Sequence, residues 1–348
     1  MEDQEQLRED NQLYEHFKYE VDKGQELLRV DKFLIDRMPN TSRNRIQAAA
    51  KTGNIHVNGE AVKVNYKVKP GDVVALVMSE PMQEIELIPE DIPLDIVYED
   101  DSLMVINKPA GFVVHPGHGN YSGTLVNALI FHCQNLPVSE GNPSSRPGLV
   151  HRIDKDTTGL MVIAKTLESM THLGRQFFDR TIERRYHALV WGNLKDEEGE
   201  IEGNIGRSLK DRKVRAVFPD GDQGKHALTR YKVLKRFGYV TLVECKLETG
   251  RTHQIRVHFR FIGHPLFGDP VYGGDKVLFG THHAKYKAFV HNGFKMLPRQ
   301  ALHAKSLGFE HPKTGEKMSF ESELAPDMVA LIKKWDDYMA HYTQKPQE

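Results

Sequence analysis

The chain has 348 residues, 39% of them hydrophobic, and its 47 Lys and Arg nearly balance its 48 Asp and Glu. This size and composition predict a folded protein with one large domain and one smaller domain. A membrane protein or a secreted precursor is not expected, since no apolar run approaches the roughly 20 residues that cross a bilayer, and residues 1–24 lack the layout of a signal peptide.

The cysteine content indicates a reducing environment. Cys133 and Cys245 are the only two cysteines, too few for a disulfide framework or a Cys-rich zinc site. We therefore expect a cytoplasmic protein. We also expect no bound metal, because His115 and His118 have no acid or thiol at ligand spacing.

Charge is distributed unevenly along the chain. Residues 1–24 hold eight acidic and three basic side chains, which predicts a frayed or partly helical acidic extension. Residues 25–78 hold nine Lys and Arg against five acids, and residues 205–236 hold ten against three. Two separate basic stretches indicate a polyanion that is contacted in more than one place. Basic faces that are simply solvated remain the alternative.

Residues 25–80 have the pattern of a small module with two helices and a small sheet. The second helix is predicted to begin at Ser42 and to end at Gly53. Asn58 and Gly59 then predict a hairpin, because this pair readily adopts the positive φ of a tight turn.

Three segments of this module resemble the S4 RNA-binding domain: RVDKFL at residues 29–34, SRNRIQ at 42–47 and GNIHVNG at 53–59. The resemblance implies that the module binds RNA. Its expected contacts are three basic side chains, Arg43, Arg45 and Lys51. A packing module without a ligand is the alternative.

A linker is predicted over residues 81–92, which contain prolines and acids, and a larger domain over residues 93–345. Near the start of this domain, Lys108 lies in a Pro- and Gly-containing loop, where it could meet a phosphate or merely be solvated. Thr166 is predicted to cap a helix later in the domain.

The turn HRIDKDTTGL at residues 151–160 leads directly into the apolar run of residues 161–164. A turn at the edge of a sheet can hold Asp154 rigidly while its oxygens stay accessible. An ordinary loop with one structural ion pair is the alternative, since such pairs are common and worth little.

A second segment, LETGRTHQIRVH at residues 247–258, predicts a helix that Thr252 caps. Ile255 and Phe259 would face the core and Arg256 the opposite side. An arginine held by a helix can pair with a carboxylate in a cleft, and a solvated basic face is the alternative.

Four motifs of the larger domain resemble those of the RluA family of pseudouridine synthases, in the same order. They are NKPAG at 107–111, GLVHRID at 148–154 with TTGL at 157–160, RYHA at 185–188, and GRTHQIRVH at 250–258. An S4-like module ahead of this domain is similar to the RluD-like and RluC-like members, and the sequence HRIDKDTTGLMVIAKT at residues 151–166 is more similar to the RluD-like group. One departure is Ile153, where Leu is usual, a change of similar volume.

The resemblance implies an α+β protein, in which an S4-like module joins a larger mixed, mainly antiparallel sheet with flanking helices and a central cleft. It implies an isomerase that converts uridines of RNA, above all of large-subunit (23S) ribosomal RNA, to pseudouridine. The N1–C1′ bond breaks and the uracil rejoins the ribose through C5. No cofactor is implied. The expected partner is ribosomal RNA or the assembling large subunit, and the expected state is a monomer.

The same resemblance makes Asp154 the catalytic carboxylate. A single adjacent carboxylate can stabilise an oxocarbenium-like ribose; attack on C1′, attack on the base and removal of a ribose proton remain open. Tyr186 would stack on the flipped uracil, with a half-buried strand aromatic as the alternative. Arg256 would keep Asp154 ionised, and Arg152 would contact the RNA backbone and help to hold the nucleotide out of its stack.

Further phosphate contacts are expected from Lys108 and from a basic loop. The loop residues are Arg207, Lys210, Arg212, Lys213 and Arg215. Two rival functions remain: an RNA N-glycosylase that uses Asp154 and Asp156 as acid and nucleophile, and a non-catalytic RNA-binding protein such as a ribosome assembly factor.

Overall fold

The computed structural model describes residues 13–38, 41, 43–78, 87–117, 119–133, 135–138, 146–211 and 214–343. These residues divide into two compact units, one that ends at Met78 and one that begins at Leu87. The predicted α+β class is confirmed, since both units combine sheets with helices.

The first unit contains six strands and two helices. They are β1 (Tyr14–Glu20), β2 (Leu28–Arg29), α1 (Val30–Arg37), α2 (Arg43–Lys51), β3 (Ile55–Val57), β4 (Glu60–Ala61), β5 (Lys67–Val68) and β6 (Val73–Met78). One sheet has the order β1-β6-β3-β4, and β2 pairs with β5. The predicted hairpin at Asn58 and Gly59 is confirmed by their φ values of 53° and 89°.

The prediction of a frayed or partly helical extension is wrong for Tyr14–Glu20. This segment forms β1, antiparallel to β6, and the ring of Tyr19 packs edge-on against Phe33 of α1 at 5.7 Å. Aromatic side chains anchor the strand in spite of its acidic neighbours. Residues 1–12, the linker residues 81–86 and the predicted cap Ser42 lie outside the described residues.

The second unit is organised around one large sheet. Its strands are β7 (Ile96–Glu99), β8 (Leu103–Lys108), β9 (Thr158–Ala164), β10 (Glu183–Trp191), β11 (Glu198–Arg207), β12 (Arg215–Phe218), β13 (Lys225–Arg236), β14 (Val240–Leu247), β15 (Leu302–Glu310) and β16 (Lys317–Glu321). Its helices are α3 (Leu125–His132), α4 (Leu167–Asp179), α5 (Gln254–Phe261), α6 (Ala284–Met296) and α7 (Pro326–Thr343).

The sheet is mixed but mainly antiparallel. Its order is β12-β11-β13-β14-β10-β15-β9-β8-β7, with β16 beside β15. Only β9 and β15 run parallel among the described pairs. Gly159 allows this contact, because a Cβ there would lie 2.3 Å from the carbonyl oxygen of Ala304.

Helices cover the sheet and complete its core. The main hydrophobic cluster joins Leu125 of α3 and Phe259 of α5 to the strands. A second cluster joins Tyr286 of α6 and Trp335 of α7 to the strand ends near Trp191. Among the described helices, none combines the length and apolar character that crossing a membrane requires.

Helix α4 begins as predicted. The Oγ1 of Thr166 accepts a hydrogen bond from the backbone N–H of Ser169 at 3.1 Å, as expected of an N-cap. The turn that contains Asp154 precedes β9, which pairs with β15 on one side and with β8 on the other, and α4 follows this strand.

Candidate active site

Asp154 lies in the turn immediately before β9, at the edge of a cleft. The backbone N–H of Thr157 donates to the carbonyl oxygen of Asp154 at 3.1 Å, which closes the turn. The Asp154 side chain is 19% exposed. The cleft has a volume of about 320 Å³. Its polar lining includes His151, Arg152, Asp154, Arg184, His253 and Arg256.

Arg256 of α5 holds the Asp154 carboxylate. Its Nη1 lies 2.9 Å from Asp154 Oδ2, and its Nε and Nη2 lie 2.7 and 3.0 Å from the two oxygens of Asp269. Burial alone would lower the pKa of Arg256, but the hydrogen bonds and charge of Asp269 and Asp154 raise it above its ordinary value. The guanidinium is therefore a fixed cation beside Asp154.

Asp269 and Tyr272 support this pair, and neither residue was predicted to belong to the site. Asp269 is fully buried, and its Oδ1 also accepts the backbone N–H groups of Val271 and Tyr272 at 3.0 and 3.2 Å. The Tyr272 ring lies 5.2 Å from the Arg256 guanidinium. These contacts leave Arg256 little freedom to turn away.

His253 stands at the start of α5, on the other side of Asp154. Its Nε2 is 3.9 Å from Asp154 Oδ1 and its Nδ1 is 2.9 Å from the Tyr272 hydroxyl. Burial lowers the pKa of His253, an effect that the Asp154 charge opposes. The prediction that Thr252 caps this helix is wrong, because the residue before α5 is His253, with φ of 57°. The Gln254 side chain accepts a hydrogen bond from the backbone N–H of Arg251.

Tyr186 reaches the cleft from β10, at the point where the pairing with β15 shifts register. Such a bulge changes the direction of a side chain and is common beside active sites. Tyr186 is only 6% exposed, and burial raises the pKa of its hydroxyl. Arg152 is exposed at the mouth of the same cleft.

His151 and Arg184 also line the cleft, and neither residue was predicted to have a role in the site. The His151 ring stacks on Phe177 with centroids 4.6 Å apart, and its Nε2 accepts the backbone N–H of Val162 at 3.0 Å. Burial lowers the pKa of His151 to about 3, so the ring is neutral at pH 7. Neither His151 Nδ1 nor Arg184 Nε has a hydrogen-bond partner among the described residues.

The prediction that Lys108 contacts a phosphate is wrong. Lys108 is 1% exposed, and its Nζ donates to the carbonyl oxygens of Pro109, Phe112 and Lys155 at 2.7, 2.9 and 2.8 Å. Burial lowers its pKa to about 7, while three carbonyl acceptors favour the protonated amine. Lys108 therefore ties the loop after β8 to the turn that contains Asp154.

Arg299 also holds the turn that contains Asp154. Its Nη1 donates to the carbonyl oxygen of Asp156 at 3.0 Å, and its Nε and Nη2 pair with Asp327 of α7 at 2.7 and 2.8 Å. Gln300 adds a bond to the Thr157 hydroxyl at 3.2 Å. The turn that contains Asp154 is thus fixed by side chains that come from distant parts of the chain.

The other predicted RNA contacts belong to both units. Arg43, Arg45 and Lys51 are exposed on α2 of the first unit; Arg43 Nε lies 3.1 Å from the buried Asp31. In the second unit Arg207 and Lys210 are exposed and Arg215 is half-buried, on the hairpin of β11 and β12. Arg212 and Lys213 lie outside the described residues.

One group of potential metal ligands occurs in the described residues, away from the cleft lining. Ligand atoms of Glu99, His132 and Cys133 lie within 4.8 Å of one another. Lys165 Nζ is already 2.7 Å from Glu99, and His132 Nε2 is 3.0 Å from it. This cluster has the contacts of an ion-pair network on the surface.

Comparison with known proteins identifies the class to which this fold and cleft belong. Residues 102–261 match the family model of RNA pseudouridylate synthases, and residues 28–74 match that of the S4 domain. A human protein, RNA pseudouridylate synthase domain containing 1, has a similar fold, with a TM-score of 0.51, 24% identity, and coverage of 74% of this chain and 98% of that one.

Two relatives match nearly the whole chain. An uncharacterized RNA pseudouridine synthase of Chlorobaculum parvum is 47% identical over 90% of this chain and 96% of that protein. Ribosomal large subunit pseudouridine synthase D of Zymomonas mobilis is 42% identical over 88% of this chain and 93% of that protein. The chain therefore belongs to the RNA pseudouridine synthase family. It is an isomerase that converts uridine in RNA to pseudouridine, with an S4 domain as its first unit.

Proposed function

We propose that this protein isomerises uridines of large-subunit ribosomal RNA, with Asp154 as its catalytic group. The observation that carries the proposal is the Asp154 carboxylate, open to the cleft and held at 2.9 Å by Arg256. Relatives named large-subunit pseudouridine synthases support the choice of RNA.

The reaction needs no outside reactant. The N1–C1′ bond of uridine breaks, a C5–C1′ bond forms, C5 loses a proton to solvent, and N1 gains one. Positive charge develops on the ribose during cleavage, and an adjacent carboxylate stabilises it. We assign this stabilisation to Asp154, whose side chain lines the cleft.

Arg256 has a positioning role in this proposal. A carboxylate beside a fixed cation stays ionised and keeps one orientation, so little reorganisation is needed when charge develops. Asp269 holds Arg256 in turn, through two hydrogen bonds. His253, 3.9 Å from the other Asp154 oxygen, limits movement on the opposite side.

The remaining cleft residues suit a flipped base. We assign Tyr186, which lines the cleft, to stacking on uracil, and Arg152, exposed at the cleft mouth, to holding the RNA backbone. Taking a nucleotide out of its stack costs a few kcal/mol, which such contacts offset. His151 and Arg184 also line the cleft, and we assign them to its contacts with the bound nucleotide.

Docking on the large RNA is assigned to exposed or half-buried cations of the two units. These are Arg43, Arg45 and Lys51 on α2, and Arg207, Lys210 and Arg215 on the β11–β12 hairpin. Such cations contact phosphates without reading sequence. The partner in this proposal is ribosomal RNA or the assembling large subunit, and the protein acts as a monomer in the cytoplasm.

The test compares the parent protein with Asp154→Asn on large-subunit RNA that carries tritium at uridine C5. The parent should release tritium to water as pseudouridine forms, whereas the variant should release essentially none while it still binds the RNA. Tritium release by the variant at the parent rate would refute the role of Asp154. Free uracil in the products would indicate a glycosylase instead.

A further inference from the structure

A second cavity lies beside the catalytic cleft, between β12, α5 and the loop that carries Tyr272. Its volume is about 670 Å³, within the usual range of ligand pockets. Three cations line it, namely Arg215, Arg260 and Lys276. This cavity is called the basic groove below.

The positive charge of the basic groove is not neutralised by the part of the chain that the structure describes. No acidic side chain lines the groove there. Arg260 Nη1 donates to the backbone carbonyl of Tyr272 at 2.9 Å, which fixes the side chain but leaves its charge intact. A concave surface with unbalanced positive charge attracts anions.

The groove also exposes apolar side chains. Phe261, Val271 and Leu278 line it and are 48%, 44% and 42% exposed. Grooves that bind single-stranded nucleic acid combine these two features, because cations follow the phosphates while an aromatic ring stacks on a base. Duplex RNA has its base faces covered, so the exposed Phe261 ring favours a single strand.

The groove and the catalytic cleft share a thin wall. His253 lines the cleft, and its Nδ1 lies 2.9 Å from the hydroxyl of Tyr272, which lines the groove. The backbone N–H of Arg215 donates to the same hydroxyl at 3.2 Å. Neighbouring nucleotides of one RNA strand can therefore occupy the cleft and the groove.

We propose that the basic groove binds the single-stranded RNA that flanks the target uridine, with Arg260 and Lys276 on its phosphates and Phe261 against a base. The proposal rests on the proposed function, because it places another part of the same substrate.

The test uses the full chain with both Arg260→Gln and Lys276→Gln. Binding to a uridine-containing single-stranded RNA is measured by fluorescence anisotropy over a range of salt concentrations. The slope of log affinity against log salt should fall in magnitude by about 1.4, at roughly 0.7 for each lost phosphate contact, and KM for that RNA should rise. The matched control is Lys285→Gln with Lys287→Gln, two exposed cations of α6, which should keep the parent slope.

Two further variants make the outcome decisive. Arg260→Lys keeps the charge and should keep the parent slope, which separates lost charge from lost structure. Asp154→Asn should bind with the parent slope but form no pseudouridine. If the parent forms no pseudouridine, the proposed function fails while the salt slopes still decide the role of the groove.

An unchanged slope in the Gln double variant overturns the proposal. So does a double variant that binds naked RNA like the parent but no longer associates with ribosomal precursor particles, because the occupant of the groove would then be a protein.

Discussion

The arginines of the cleft and of the basic groove differ in what surrounds them, although they lie close together. Arg256 is 4% exposed and bonded to two carboxylates. The side chain of Arg260, one helical turn further along α5, donates to a backbone carbonyl and forms no ion pair among the described residues. Since a paired, buried cation cannot also neutralise a phosphate, Arg256 is suited to positioning Asp154 and Arg260 to binding RNA.

This difference predicts the largest effect for Asp269→Asn. Asparagine offers one oxygen where Arg256 now has two, so the guanidinium should turn and Asp154 should shift. We expect kcat to fall by up to about 100-fold, since a misplacement of about 1 Å has that effect. The free energy of unfolding should fall by about 3–5 kcal/mol, as expected when a buried ion pair loses one partner. Tritium release and urea unfolding measure the two effects.

The matched control is Asp31→Asn in the first unit. Asp31 is also fully buried and pairs with two arginines, Arg29 and Arg43. Its loss should reduce stability without the fall in kcat on a short uridine-containing RNA. A kcat for Asp269→Asn equal to that of the parent would show that Asp269 only stabilises the fold.

The contrast between buried and exposed polar groups also explains which site residues could be predicted from the sequence. Asp154 and Arg256 belong to motifs, so their identities could be read before their distance was known. Lys108 could not be placed, because a lysine in a loop has the same local pattern whether it meets solvent or three carbonyls. Asp269 and Tyr272 were missed, since their roles depend on contacts with segments that are distant in sequence.

Strand β1 shows the same limit for the fold. The hairpin at Asn58 and Gly59 is encoded by two adjacent residues and was predicted correctly. The pairing of β1 with β6 joins residues about 60 positions apart. The acidic composition around β1 predicted a frayed extension rather than a strand. Local turns were therefore easier to predict than long-range pairing.

Two buried histidines of the second unit should make the free energy of unfolding depend on pH. Burial lowers the pKa of His258 and His303 to about 4, from an ordinary 6.5. Between about pH 6.5 and pH 4 the unfolded chain binds protons that the folded chain does not, so stability is lost as pH falls through this range. Each such histidine should contribute about 1.4 kcal/mol of unfolding free energy per pH unit.

Urea unfolding at several pH values measures this slope. His303→Gln should reduce the slope of unfolding free energy against pH by the contribution of one histidine. His282→Gln, at an exposed position of the same unit, should leave that slope unchanged. Equal slopes in the parent and in His303→Gln would mean that His303 takes up a proton in the folded protein as readily as in the unfolded chain.

The smallest effect on stability is expected for Lys51→Gln on α2. Lys51 is exposed, so the free energy of unfolding should change by no more than about 0.5 kcal/mol. If its amine contacts a phosphate of folded RNA, the salt slope for large-subunit RNA should fall by about 0.9, and kcat on a short RNA should not change. Lys18→Gln is the matched control, because Lys18 Nζ already pairs with Glu15 at 3.0 Å in the same unit. Identical salt slopes for Lys51→Gln and Lys18→Gln would remove Lys51 from the RNA-binding surface and leave docking to the other exposed cations.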